Sequence, residues 1–417
     1  MWGKAGGLKA AFELKGEIIM VQKGTISKIN GKMAWALGLQ HFLAMFGATV
    51  LVPLLTGLDP LVALFTAGVG TWVFHLVTGR KVPVFLGSSF AFIAPIVLVA
   101  KNQGLAYATG GIVAAGIVYL IIAAMVAAVG PEFIVKLFPP VVSGPVIIVI
   151  GLSLAPTAVK MASTNWWLAG FTSLVIILVT TVARNGIKHI PVLIGVGLAY
   201  LVALIFKQVD TKPLVEAPWF AIPGFMLPKF SWYAISVIAP VAIVTMVEHI
   251  GDVLTNGAVV GKNFLEDPGL HATLAGDGLA TLVAGFLGGP ANTTYSENTG
   301  LLALTRVYDP SVLRKAALLA ILVSFWAKIG AILRTIPQSV IGGVSLILFG
   351  MIASVGIRML KKEEIDFAHP RTLIIVSVVL TLGVGGAVLK IGNFELSGMP
   401  IAAIAGIILN LVLPHNE

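Results

Sequence analysis

The chain of 417 residues is 58% hydrophobic and only 11% charged, with a mean hydropathy of +1.00. A soluble protein carries about 25% charged residues, so these proportions exclude one and indicate a polytopic membrane protein solvated largely by lipid. The net charge of +9 does not point to nucleic acid, because Lys and Arg gather in the N-terminal segment and in alternate loops, the positive-inside pattern. The absence of cysteine rules out disulfides, thiol catalysis and Cys-ligated metals.

Residues 1–33 are polar and basic, with no apolar h-region and cleavage site, so a signal peptide is not expected. The first span, from about Ala34, is expected to serve as the insertion signal. A span needs about 20 apolar residues. Segments of that kind begin near Ala34, Leu61, Leu105, Val141, Trp166, Ile190, Tyr233, Leu270, Lys315, Val340, Thr372 and Met399. Two shorter, irregular segments, from Pro83 to Ala100 and from Asn292 to Val307, bring the count to fourteen. Alternating the loops then puts Arg80-Lys81, Arg184 with Lys188, Arg314-Lys315 and Arg358 through Lys362 on one side with the N-terminal segment. Both termini are therefore expected in the cytoplasm and the chain in the plasma membrane.

The two halves of the chain align. Gln40-His41 matches Glu248-His249, and Ala67-Gly68-Val69-Gly70 matches Ala275-Gly276-Asp277-Gly278, both at a shift of 208 residues. Gly87-Ser88-Ser89-Phe90 corresponds to Thr294-Tyr295-Ser296-Glu297 at a shift of 207, and Pro139, Val142 and Gly144 to Pro337, Val340 and Gly342 at a shift of 198. Seven spans per copy is an odd number, so the second copy must insert upside down. The expected fold is therefore an all-α membrane protein of fourteen segments in two inverted seven-span repeats, residues 34–206 and 231–414, joined by an extracellular linker at 207–230. Inverted repeats supply the two pseudo-symmetric states that alternating access needs.

In each irregular segment a short β-prone stretch runs into a half-length helix expected to start near Phe90 or Glu297. Non-helical backbone at membrane depth is tolerated only where protein or a polar ligand satisfies it, and two helix N-termini would bring positive ends and free amides to the bilayer centre. Ionisable residues within spans are costly and are functional candidates. Glu248 lies in such a span, Asp252 follows one helical turn later on the same face, and Glu297 sits at the second break. Three carboxylates in one low-dielectric site do not all ionise comfortably, so one of Glu248, Asp252 and Glu297 is expected to carry a coupled proton, with His41 hydrogen-bonded into the cluster. Asp277 is open between structural and functional roles, His249 is expected to pack on another helix face, His75 to sit near a span end, and Lys328 to snorkel. No metal-ligand spacing and no Walker-type loop is present, so no cofactor and no ATP-driven step are expected. No nucleophile–base constellation marks an enzyme.

At Gln40 through Thr49, Leu86 through Phe92, Glu248 through Gly251 and Asn292 through Asn298 the chain resembles the nucleobase–cation symporters of the nucleobase–ascorbate transporter group, most of all the uracil permease branch. The resemblance implies a core domain (34–130 plus 231–335), a gate domain (131–206 plus 336–414), two short antiparallel strands at the breaks, and a homodimer formed through the gate. It also implies that Glu248 and Glu297 accept hydrogen bonds from a nucleobase. Backbone amides near Phe90 and Ser296 would donate to it, with Ser89 and Tyr295 nearby. The substrate implied is uracil, imported with protons. Glu297 matches the uracil branch, whereas the xanthine and urate branch has Gln there. Asp252 stands where uracil members carry His and purine members often Asp, and Ser296 replaces a Gly, so a purine symporter remains the alternative. An anion transporter of the same architecture is a third reading, disfavoured by the acidic site.

Overall fold

The computed structural model describes residues 31–130, 137–183, 187–188, 190–362, 364–391, 394–396 and 398–414. All but the last three residues of the basic N-terminal segment, and Arg184 of the charge pattern, lie outside them.

The first half comprises α1 (Gly31–Thr56), α2 (Pro60–Val77), β1 (Leu86–Ser88), a 3-10 turn at Phe90–Phe92 leading into α3 (Ile93–Gln103), α4 (Leu105–Val129), α5 (Pro140–Ser153), α6 (Ala155–Ala162), α7 (Trp166–Val182) and α8 (Pro191–Ile205). A short helix, α9 (Lys212–Glu216), lies in the linker. The second half comprises α10 (Trp232–Ile238), α11 (Val241–Val260), α12 (Leu270–Phe286), β2 (Asn292–Thr294), α13 (Ser296–Thr305), α14 (Pro310–Ser324), α15 (Ala327–Arg334), α16 (Gln338–Lys362), α17 (Pro370–Val384), β3 (Leu389–Ile391), β4 (Phe394–Leu396) and α18 (Gly398–Val412). A helix starts within five residues of each of the twelve regular apolar segments. Among the described residues, six helices are long and apolar enough to cross a membrane, or seven if α14 and α15 count as one bent span.

Helix starts follow local chemistry. Asp59, Asn165, Ser231 and Asp309 each accept a hydrogen bond from a first-turn amide of α2, α7, α10 or α14, which satisfies donors that have no intrahelical partner. Proline opens α2, α5, α8, α14 and α17, where its missing N–H costs nothing.

Lipid supplies little hydrophobic force between helices, so close approach of small residues sets the packing. Gly116 on α4 and Gly278 on α12 face each other, and a Cβ on either would stand 2.8 or 3.1 Å from the other's carbonyl oxygen. Helix α12 is thus held between α4 and α2, and α14 packs on α2 and α1. A second group forms where α16 packs on α5, α6 and α7 and where α17 packs on α5 and α18.

Two features depart from the expectation. Helix α14 starts at Pro310, ahead of Lys315, and breaks near Phe325, so that α15 leaves it at 81°. Strands β3 and β4 add a second antiparallel pair, with Lys390 opposite Glu395, beyond the two strands expected. The alternation Leu389-Lys390-Ile391 and Phe394-Glu395-Leu396 around Gly392-Asn393 is a hairpin signal in the sequence. It was obscured because both flanks adjoin apolar helices.

Candidate functional site

The two irregular segments meet. β1 and β2 pair antiparallel, with Leu86 opposite Thr294, Gly87 opposite Thr293 and Ser88 opposite Asn292. Ser89 N donates to Ala291 O (2.9 Å) and Tyr295 N to Phe85 O (3.0 Å), which extends the pairing at both ends. Each strand is also clamped by a threonine from the preceding helix. Thr71 Oγ1 on α2 accepts from Leu86 N at 2.9 Å and donates to Leu86 O at 3.4 Å. Thr281 Oγ1 on α12 accepts from Asn292 N at 3.2 Å and donates to Asn292 O at 3.0 Å. Protein groups thereby satisfy the non-helical backbone that the bilayer cannot.

Side chains then lock the crossing. Tyr295 lies across Gly87, where a Cβ would stand 2.3 Å from its ring, and its hydroxyl donates to Ser88 O at 2.9 Å. Ser88 Oγ donates to Thr49 O on α1 at 2.9 Å, and Asn292 Nδ2 to Thr66 O on α2 at 3.0 Å. Asn256 on α11 donates to Pro83 O and to Thr299 Oγ1, both at 3.1 Å, and so joins the two breaks.

α11 packs against β2, α13 and the Phe90 turn. It presents Glu248 and Asp252, both half-buried, to that junction, and Thr294 Oγ1 donates to Asp252 Oδ2 at 2.9 Å. Ser296 and Glu297 are exposed, and Phe90 is half-buried. Glu297 lies in the first turn of α13, whose N-cap residue Tyr295 makes no side-chain cap bond, a helix start of the kind that favours anions and hydrogen-bond acceptors. From α16, Phe349 meets Phe90 edge to face, with centroids 6.2 Å apart. The result is a site with carboxylates on two sides, an uncapped helix start and aromatic rings beside them.

Of the residues singled out from the sequence, Glu248, Asp252, Glu297, Ser296 and Phe90 come together at this junction. Ser89 and Tyr295 lie just behind it, fully or nearly buried. His41 is also buried, and Asn298, the neighbour of Glu297, meets its Nδ1 at 3.0 Å. His249 points away from Glu248, as expected, and stands 3.0 Å from Asp277 with both side chains fully buried. His75 is fully buried, bonded through Nε2 to Val84 O at 2.8 Å, and so braces the approach to β1. Lys328 donates to the carbonyls of Leu214 and Val215. Sequence reasoning missed Thr71, Thr281, Asn256, Asn298 and Phe349. The two threonines fall close to the repeat shift, at 210 residues, and could have been found by extending the alignment. Asn256 carries a weaker signal, an amide one turn beyond Asp252.

A model of the Permease family matches residues 33–392. The uracil permease of Bacillus caldolyticus is 48% identical over 394 residues, covering 91% of each chain. That of Bacillus subtilis is 46% identical, covering 91% of this chain and 92% of its own, and that of Escherichia coli K12 is 41% identical, covering 90% of each. Among solved structures, the transmembrane domain of a cyanobacterial bicarbonate transporter, BicA, superposes with a TM-score of 0.60 at 16% identity, covering 90% of this chain and 96% of that one. SLC26A9 superposes at 0.71 with 13% identity, covering 91% of this chain, which spans only 64% of that longer protein. These identities establish the shared fold alone. The chain is a multi-pass membrane protein that belongs to the Permease family, the nucleobase–cation symporters its motifs resemble.

Proposed function

We propose that this protein imports uracil together with protons by alternating access. The observation that carries the proposal is the junction of the two breaks, where Glu297 stands exposed at an uncapped helix start beside Glu248 and Asp252. Uracil offers two ring N–H donors and two carbonyl acceptors, which carboxylates and free amides complement. Glu248 and Glu297 accept from the ring, amides near Phe90 and Ser296 donate to its carbonyls, and one of the three carboxylates carries the coupled proton, because like charges so close disfavour full ionisation. The identity of 41–48% to relatives named uracil permeases supports the substrate.

In this reading fourteen segments form two inverted seven-span repeats with both termini in the cytoplasm, and the chain resides in the plasma membrane. The core (34–130 plus 231–335) moves against the gate (131–206 plus 336–414), and two copies join through the gate. The antiparallel strand pair and the two groups of packed helices support that division, as does the likeness in fold to BicA. Asp252 favours a second reading, a purine carried at the same site, because Thr294 holds this carboxylate at the junction. Transport of an anion, the activity of those fold neighbours, is disfavoured by the cluster of acids.

Uptake of labelled uracil and xanthine into proteoliposomes under an imposed pH gradient tests this, for the parent and for Glu297→Gln. Uracil uptake that rises with an inward proton gradient and fails in the variant is expected. Uptake of neither base by the parent overturns the assignment. Xanthine uptake in its place selects the purine reading, and indifference to the gradient removes the coupling.

A further inference from the structure

The linker between the halves is tied down by its backbone. Ala221 N donates to Phe325 O at 3.1 Å, Ala327 N to Trp219 O at 3.0 Å, and Met226 N to Leu287 O at 3.2 Å. This fixes Trp219 and Phe220 beside Trp326, with ring centroids 6.5 Å apart in each case. Lys328 Nζ lies 5.8 Å from the Trp219 ring and bonds the carbonyls of Leu214 and Val215, which joins α9 to α15. Although held in place, the rings are not covered, since Trp219 is 64%, Phe220 74% and Trp326 40% exposed.

The orientation of α15 says what covers them. Helix α14 is apolar and packs along α1 and α2, two of the membrane-crossing helices, and α15 leaves it at 81°. With α14 taken as the membrane-crossing part of the pair, a helix that leaves its end at that angle runs close to the membrane plane. Its buried residues are Gly330, Ala331 and Leu333, while Lys328 reaches the carbonyls of α9 and Arg334 pairs with Asp59 at the start of α2. An amphipathic helix of this kind with aromatic rings at its start suits the headgroup layer, where Trp buries its ring and keeps its indole N–H hydrated while Phe adds apolar area.

We propose that Trp219, Phe220 and Trp326 form a membrane-surface anchor, seated in the headgroup layer of the leaflet at the α15 end of the molecule. The occupant of this face is lipid. The anchor holds α15 at the surface where the chain passes from α14 to α16, so that α16 starts from a fixed depth. A second copy of the chain is disfavoured as occupant because the rings follow the direction of α15 into the membrane plane.

The chain has no cysteine, so a single spin label can be placed without altering it further. Phe220→Cys and, separately, Ile222→Cys (78% exposed) are labelled in full-length protein in liposomes, with Lys212→Cys as the aqueous reference. Uracil uptake by each labelled protein reports that it is folded. The expected result is a shift at position 220 toward collision with oxygen and away from a water-soluble nickel reagent, relative to position 212. Aqueous accessibility at 220 equal to that at 212 overturns the proposal. So does protection from both reagents, and spin–spin coupling between copies would then assign the face to a second copy. If the label at 220 abolishes uptake, the same readings at 222 decide.

Discussion

Gly87→Ala would place a methyl group inside the ring of Tyr295. The new Cβ would stand 2.3 Å from Cζ and 2.4 Å from Cε2 of that ring, and 2.7 Å from Thr49 Oγ1, where carbon atoms rest at about 3.5–4.0 Å. The ring must therefore move by more than an ångström, and its hydroxyl must release Ser88 O. Forcing an extra methyl into a packed interior costs about 1–3 kcal/mol, and leaving a buried carbonyl unpaired costs about 1–3 kcal/mol more. The lower part of that sum, about 2–4 kcal/mol, falls on the strand crossing that positions Phe90 and Glu297. At about 1.4 kcal/mol per tenfold, binding of uracil to the purified protein, followed by calorimetry, should weaken about 30-fold or more. Tyr295→Phe removes the hydroxyl and keeps the clash partner, so it should cost only the hydrogen-bond share. Gly87→Ala combined with Tyr295→Ala should cost less than the sum of the two single changes, since the ring that clashes is gone. Parent affinity and parent unfolding temperature in Gly87→Ala would refute the reasoning.

Glu297→Gln should abolish uracil binding while leaving thermal stability in detergent unchanged or slightly raised, because its side chain is exposed and, in the proposed reading, meets the ligand; a large fall in unfolding temperature would argue for a structural role. His249 and Asp277 form a buried contact, so Asp277→Leu or His249→Phe alone, which strands the other buried polar group, should destabilise by about 1–3 kcal/mol. The double variant should recover most of that, as replacing both partners of a buried polar pair by apolar groups is often nearly neutral, and a double variant no better than the singles would contradict this. Asp59 both caps α2 at Leu61 N (2.8 Å) and accepts from Arg334 (2.7 Å). Arg334 is largely exposed, so Arg334→Ala should cost no more than about 1 kcal/mol. Asp59→Asn keeps the cap and should behave similarly, whereas Asp59→Ala should cost about 1 kcal/mol more in a thermal melt.

The apolar spans and their starts were legible because each must exclude polar groups over its whole length, which leaves a long and redundant signal. Glu248, Asp252 and Glu297 were legible for the complementary reason: a carboxylate is conspicuous against such a background. What the sequence concealed is cross-chain hydrogen bonding by small polar side chains. A threonine within a span ordinarily bonds back to its own helix, and Thr71 does so too, to Ala67 O at 2.8 Å. Nothing local distinguishes it from Thr56 or Thr66, whose hydroxyls bond only their own helix. Phe349 was hidden differently, since one more phenylalanine in an apolar helix carries no mark of facing Phe90. The 81° turn between α14 and α15 occurs at Phe325-Trp326, without proline or glycine, and the groups it frees, Phe325 O and Ala327 N, are bonded by the linker, which no local signal announces.

The two breaks share a scaffold and differ in chemistry, and the structure shows why that is economical. Thr71 and Thr281 each accept from the amide of one strand residue and lie within reach of its carbonyl, Thr71 sharing its proton with Ala67 O. That duty is imposed by the bilayer on any non-helical backbone and leaves little room for change. The residue that follows each strand crossing bears no such duty. After β1 it leads to Phe90, which turns toward Phe349, and after β2 to Glu297, which is exposed at a helix start. An acid at both positions would put a fourth carboxylate among Glu248, Asp252 and Glu297, raising the repulsion that one proton must relieve. In the proposed reading, an aromatic ring at one of them instead gives a planar base a face to lie against while its edge meets the acids. Symmetry at the backbone and asymmetry at the side chains thus answer two different demands, satisfaction of the chain and recognition of one face and one edge of a flat solute.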